Sequence, residues 1–293
     1  MKVIIDWVLA QRLRLVVVAI IAALLVQIVA AALLCVETAR RGVNAGLLSA
    51  ALGFAAVLLI GAAVARDDLA VFAVIGAISF GPGVVLGALV RRGGNLVFAF
   101  QAVVLLSIAI VAALTVFGPD PYELMQSTIK DIVEMLRTSG VAEEQLPIIT
   151  ERDGVLLFVG GVFSQLVGPL LLGYWWLTLA AGQRRFGAEF RALTLGRFVG
   201  ALATVLIVLG LVLKSELVQN LTPLAWMGFL FQGLAVVHSL AFARRWHPAL
   251  LAPLYVLMVL PPLSGIVGSA LSAVGLVDNW FNVRARMRPK TDE

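Results

Sequence analysis

The sequence predicts an all-α protein, a polytopic transmembrane helical bundle, and three observations carry that expectation. Hydrophobic residues make up 61% of the 293 and charged residues only 13%, whereas a soluble domain has about 45–50% apolar and about 25% charged residues. Apolar runs recur along the chain at the length a span requires, roughly 20 residues rising about 1.5 Å each through hydrocarbon about 30 Å thick. The runs mix Leu, Ala and Val without the polar–apolar alternation of a membrane β-barrel, which leaves helices as the way to satisfy the backbone in lipid.

Eight candidate segments follow, at residues 13–36, 43–65, 69–90, 96–117, 155–181, 198–213, 221–243 and 250–276. They form a single integral membrane domain over 1–293, with one polar insertion at 118–154. Residues Met1 to Arg14 carry Lys2, Arg12 and Arg14 ahead of an apolar run, as a signal peptide does. No small-residue cleavage site follows, so the expectation is an uncleaved first span. Inside the insertion, Asp120-Pro121-Tyr122-Glu123 is a helix start, with a cap, a proline at the first position and an early acid. Met125, Ile129, Ile132, Val133 and Leu136 then recur at helical spacing up to Gly140, predicting an amphipathic helix lying on the bilayer or the bundle.

Charge is distributed unevenly between the connections. The odd-numbered ones hold Arg40, Arg41, Arg91, Arg92, Arg184, Arg185, Arg191, Arg197, Arg244 and Arg245 against only Glu37 and Glu189. The even-numbered ones hold five basic residues against eleven acids. By the positive-inside rule the basic set is cytoplasmic and the acidic insertion external, in a bacterial cytoplasmic (inner) membrane crossed many times. A single crossing cannot leave both Arg12 and Arg40 inside, so 13–36, interrupted by Gln27, is expected to be a short helix pair. Pro261-Pro262 falls within the last segment and removes two backbone donors, predicting a kink or a break there.

The residues exclude more chemistry than they suggest. Asp, Glu, Lys and Arg are missing from the interiors of the segments as drawn, whereas proton pumps and voltage sensors need them at depth. No Walker loop or H-E-x-x-H helix is present, and two histidines and one cysteine leave no metal set. No cofactor, metal, catalytic residue or nucleic-acid partner is therefore expected, and an enzyme is the weakest reading. Gln232 and His238 are candidate polar groups facing a solute, although six residues apart they do not share a helix face. Gly81-Pro82-Gly83 is either a packed proline kink or an unwound binding stretch. Arg184, Arg185, Glu189 and Arg191, combined with Phe186 and Phe190, form an interfacial segment for anionic lipid or for a cytoplasmic or membrane protein partner.

The turn Arg40 to Gly42 ahead of Gly46-Leu47, the pattern Phe186-x-x-Glu189-Phe190-x-x-Leu193 and the ending Gly275 to Arg284 together resemble the YybS-like family of bacterial membrane proteins of unknown function. Phe231 to Leu234 and Leu260 to Leu263 are similar to that family's late segments. Asn282 and Val283 stand where the pattern has Asp and Phe. The resemblance marks Asp278, Trp280 and Arg284 as candidate contact residues. A more distant likeness, to the S components of energy-coupling-factor transporters, implies a solute-binding or transport-associated module that borrows cytoplasmic ATPases. The alternative is a membrane scaffold recruiting cell-envelope or cytoplasmic partners.

Overall fold

The structure, a computed structural model, describes residues 1–118, 121–141, 150–260 and 263–286. Among these residues it contains fourteen α-helices and no strand. In chain order they are α1 (Lys2–Ala10), α2 (Arg12–Leu25), α3 (Gln27–Arg41), α4 (Val43–Val64), α5 (Leu69–Gly93), α6 (Leu96–Phe117) and α7 (Pro121–Thr138), followed by α8 (Glu151–Ala180), α9 (Phe186–Arg191), α10 (Gly196–Val212), α11 (Glu216–Ala243), α12 (Ala252–Val259), α13 (Leu263–Phe281) and α14 (Val283–Arg286). Five are long and apolar enough to cross a membrane, or up to seven spans result if each of two bent helix pairs counts as one.

The expected count of about eight segments is therefore not reproduced, and the reason is local. The first segment is two helices of 14 and 15 residues, because β-branched Val26 leaves the helical region at φ −146°, ψ 83°. Helix α10 has only 17 residues. In the last segment α12 and α13 meet at 118°, and Pro261 and Pro262 lie outside the described residues.

The chain forms two compact units, residues 1–103 with 164–194, and residues 104–163 with 195–293. In the first unit α2 and α3 are an antiparallel hairpin. Its two ends meet where Arg12 Nε lies 3.7 Å from Glu37 Oε1 and Arg41 donates to both Glu37 and the Leu9 carbonyl. Helix α5 runs parallel to α3. Gly83 packs on the Ala31 carbonyl and Gly87 on that of Cys35, so a side chain at either glycine would collide with backbone. The same register brings Arg91 to the Ala39 carbonyl at 3.2 Å. The arginine pairs ending α3 and α5 therefore share one end of the unit, where cations complement helix C-termini.

The second unit repeats that motif with α11 and α13. Gly233 faces the Leu271 carbonyl and Gly275 faces that of Phe229, so these two helices are in close contact, and they are also parallel, since Ser272 bonds the Trp226 carbonyl and, six residues further along both, Asp278 accepts from Gln232. Helix α10 runs antiparallel to α11, since Leu195 near its start bonds Gln232 and Thr222 donates to Leu206. Arg197, Arg244 and Arg284 consequently belong to one end of this unit. Helix α7 is present where the amphipathic pattern places a helix, and Gly140 stops it at φ +87°. Met125, Ile129, Val133 and Leu136 are half-buried along it, while Ile132 is exposed; Asp120 lies outside the described residues.

Two buried acids depart from the expectation of uncharged segments. Glu37 in α3 and Asp278 in α13 are 1% and 3% exposed, because each helix continues beyond its apolar run. Arginines meet both, as charge burial requires.

Candidate functional site

At the end of the second unit remote from Arg197, Arg244 and Arg284 lies a cavity of about 760 Å³, within the usual range for small-molecule sites. Two helix stripes build most of its wall. From α11 come Glu216, Gln219, Asn220, Pro223, Trp226, Met227 and Leu230, spaced by three and four residues and so sharing one face. From α13 come Ser264, Gly265, Gly268, Ser269 and Ser272, small residues that leave the space open. The start of α8 completes it with Thr150 and Arg152. A capping box fixes that start: Thr150 N–H and Oγ1 donate to Asp153 Oδ2 at 2.9 and 2.7 Å, and Asp153 N–H returns to Thr150 Oγ1.

Several lining groups are held in place by bonds of their own. Gln219 Nε2 donates to the Gly210 and Leu213 carbonyls, Asn220 Nδ2 to Thr115, and Ser272 Oγ to the Trp226 and Gly268 carbonyls. Pro223 supplies no N–H to the Gln219 carbonyl one turn earlier, so the wall carries a helix carbonyl free of that bond. The lining thus combines one acid, one arginine, hydroxyls and amides with an apolar floor around Trp226.

None of the residues singled out in the sequence lines this cavity. Gln232, fully buried, ties the other end of the unit together: its Oε1 accepts from Leu195 N–H at 2.9 Å and its Nε2 donates to Asp278 Oδ2 at 2.9 Å. Arg284 closes the same knot, donating to Asp278 from its guanidinium and from its backbone N–H. Asn279 donates to the Gly196 carbonyl and Trp280 Nε1 to Thr204. The ending at Gly275 to Arg284 thus ties α10, α11 and α13 together, and Asp278 is turned inward, 3% exposed. His238 pairs instead with Tyr255, whose hydroxyl is 2.9 Å from Nε2, while Nδ1 meets the Leu234 carbonyl.

The remaining candidates lie in the first unit. Gly81 has open space around it and Gly83 packs on α3, so Gly81-Pro82-Gly83 remains a helical stretch of α5. Glu189 accepts from Leu96 N–H at 2.7 Å and from Tyr174 at 2.6 Å, and pairs with Arg185. It thereby satisfies the first amide of α6. Arg184 is exposed, and partial burial draws the Arg191 guanidinium below its ordinary pKa.

Comparison of the chain with family models, curated proteins and solved structures yields no match.

The cavity had a sequence signal that the segment reading passed over. The polar positions of α11 up to Thr222 and the small residues of α13 each repeat at helical spacing inside apolar stretches.

Proposed function

We propose that this chain is a multi-pass protein of the bacterial cytoplasmic membrane whose second unit binds a small polar or amphipathic solute. In this reading it is a solute-binding or transport-associated module resembling an S component. The cavity of about 760 Å³ carries the reading. Its mouth lies opposite Arg197, Arg244 and Arg284, which the charge rule keeps in the cytoplasm, so solute enters from outside. The lining supports a ligand that is polar at one end, toward Arg152 and Glu216, and apolar at the other, toward Trp226 and Leu230. In this reading, which the lack of a Walker motif in the chain fits, energy for transport is borrowed from a cytoplasmic ATPase.

Native mass spectrometry of the protein in lipid nanodiscs tests this. The expected result is a bound small molecule that Gly268→Trp displaces, because Gly268 borders the cavity and a Cβ placed there would meet only Leu230, at 3.5 Å. An empty cavity in the wild type, together with purification free of any ATPase subunit, would sink the proposal. Recovery of cell-envelope proteins by wild type and Gly268→Trp alike would favour the scaffold reading.

A further inference from the structure

The α2–α3 hairpin is too short to cross the membrane. At about 1.5 Å per residue, its helices of 14 and 15 residues measure about 21 and 22 Å, against about 30 Å of hydrocarbon. The parallel register of α3 on α5 places Gln27 level with Ser79, and α5 starts ten residues earlier, about 15 Å beyond the hairpin tip. The tip therefore sits near mid-height of the first unit.

Backbone at that depth needs partners. Helix α2 ends at Leu25, and the backbone bonds across the tip run from Val26 N–H to Ala22 and from Val29 N–H to Val26. Among the described residues the carbonyls of Ala23, Leu24 and Leu25 thus receive no backbone donor. In lipid such groups are tolerated only where they are buried in protein or line a hydrated cavity. A cavity of about 280 Å³ is present, lined by residues 23–28 with Ile75 and Gln165.

The lining oxygens share one chemistry. Gln165 commits its Nε2 to the Ile78 carbonyl at 2.8 Å, which leaves its Oε1 as an acceptor. Gln27 adds a second amide, the helix C-terminus adds partial negative charge, and all eight lining residues are uncharged. At the same height, the Ser79 hydroxyl is buried without a partner. Neutral carbonyl and amide oxygens without a carboxylate suit a monovalent cation, as unwound helix ends do in membrane transporters.

We propose that the hairpin tip binds a hydrated monovalent cation, Na⁺ or K⁺, through the Ala23–Leu25 carbonyls and the amides of Gln27 and Gln165. This rests on the membrane-spanning part of the proposed function and not on the solute cavity. The test is thermal unfolding of the full chain in nanodiscs, with choline chloride replaced by NaCl or KCl at constant ionic strength. A saturating cation is expected to raise the midpoint by about 2–4 °C. Gln27→Leu should raise the half-saturating concentration several-fold, and Gln27→Glu should lower it. Equal midpoints in all three salts overturn the site, as does a salt effect that both variants leave unchanged. Release of the chain from membranes by alkaline carbonate would instead overturn the membrane reading itself.

Discussion

Gln165 Nε2 donates at 2.8 Å to the carbonyl of Ile78, the carbonyl that Pro82 leaves without a donor because proline has no N–H to offer four residues on. One helix thus repairs the defect that a proline makes in another. Gln165→Leu should lower stability by about 1 kcal/mol, the scale of an interhelical bond in a membrane protein. Pro82→Ala restores the helical donor, so Gln165→Leu should cost less in that background. Unfolding of all four variants in mixed micelles closes the cycle; equal costs in both backgrounds would remove the coupling.

The Asp278–Arg284 pair is buried, with side chains 1% and 15% exposed. Removing one partner leaves the other charge desolvated, so Arg284→Met should destabilise by about 3–5 kcal/mol. Asp278→Asn keeps an acceptor for Arg284 and for Gln232, and combined with Arg284→Met it should recover part of the loss. Denaturation midpoints of the single and double variants check this, and strictly additive losses would show that the pair is not coupled.

Two helical glycines should respond unequally to the same substitution. A Cβ on Gly275 would strike the Phe229 carbonyl, whereas a Cβ on Gly81 meets nothing within 4 Å. Gly275→Ala must therefore push α13 off α11, a loss of several degrees in melting temperature. Gly81→Ala should change stability by less than about 1 kcal/mol, because the helix-propensity gain is opposed by contact of the new Cβ with the ring of Pro82.

The class of fold was legible because hydropathy and helix formation depend on composition and local spacing, as in 43–65 and 96–117, which became α4 and α6. The hairpin was legible from Arg12, Gln27 and Arg40 through charge alone. Its half-length was not, since an apolar run of 24 residues reads the same whether Val26 continues the helix or turns it. Glu37 and Asp278 escaped notice as buried acids because apolar runs end before helices do. Their arginine partners lie four and six residues ahead in sequence, but only packing shows that both acids are inside. The solute cavity depends on α11 and α13 lying parallel, a register set by glycines meeting carbonyls, and no single-helix pattern contains that information.

Membrane sidedness gives the remaining prediction. Helix α6 begins at an end rich in arginine, where Glu189 takes its first amide and Arg185 donates to the Gly94 carbonyl. Helix α8 finishes at the same end, since Tyr174 in its last turns bonds Glu189. With 22 and 30 residues both are long enough to cross, and the charge rule expects the acidic insertion that holds α7 outside and the basic segment that holds α9 in the cytoplasm. Replacing Cys35 by alanine provides a background free of thiols, because it is the one cysteine in the chain. In that background, Thr128→Cys in α7 should react with an impermeant maleimide in intact cells, and Ala188→Cys in α9 only after permeabilisation. Both positions are exposed, so burial cannot mimic protection. Labelling of both positions from the same side would require α6 or α8 to fail to cross, and with it the external placement of the cavity mouth at Arg152 would be lost.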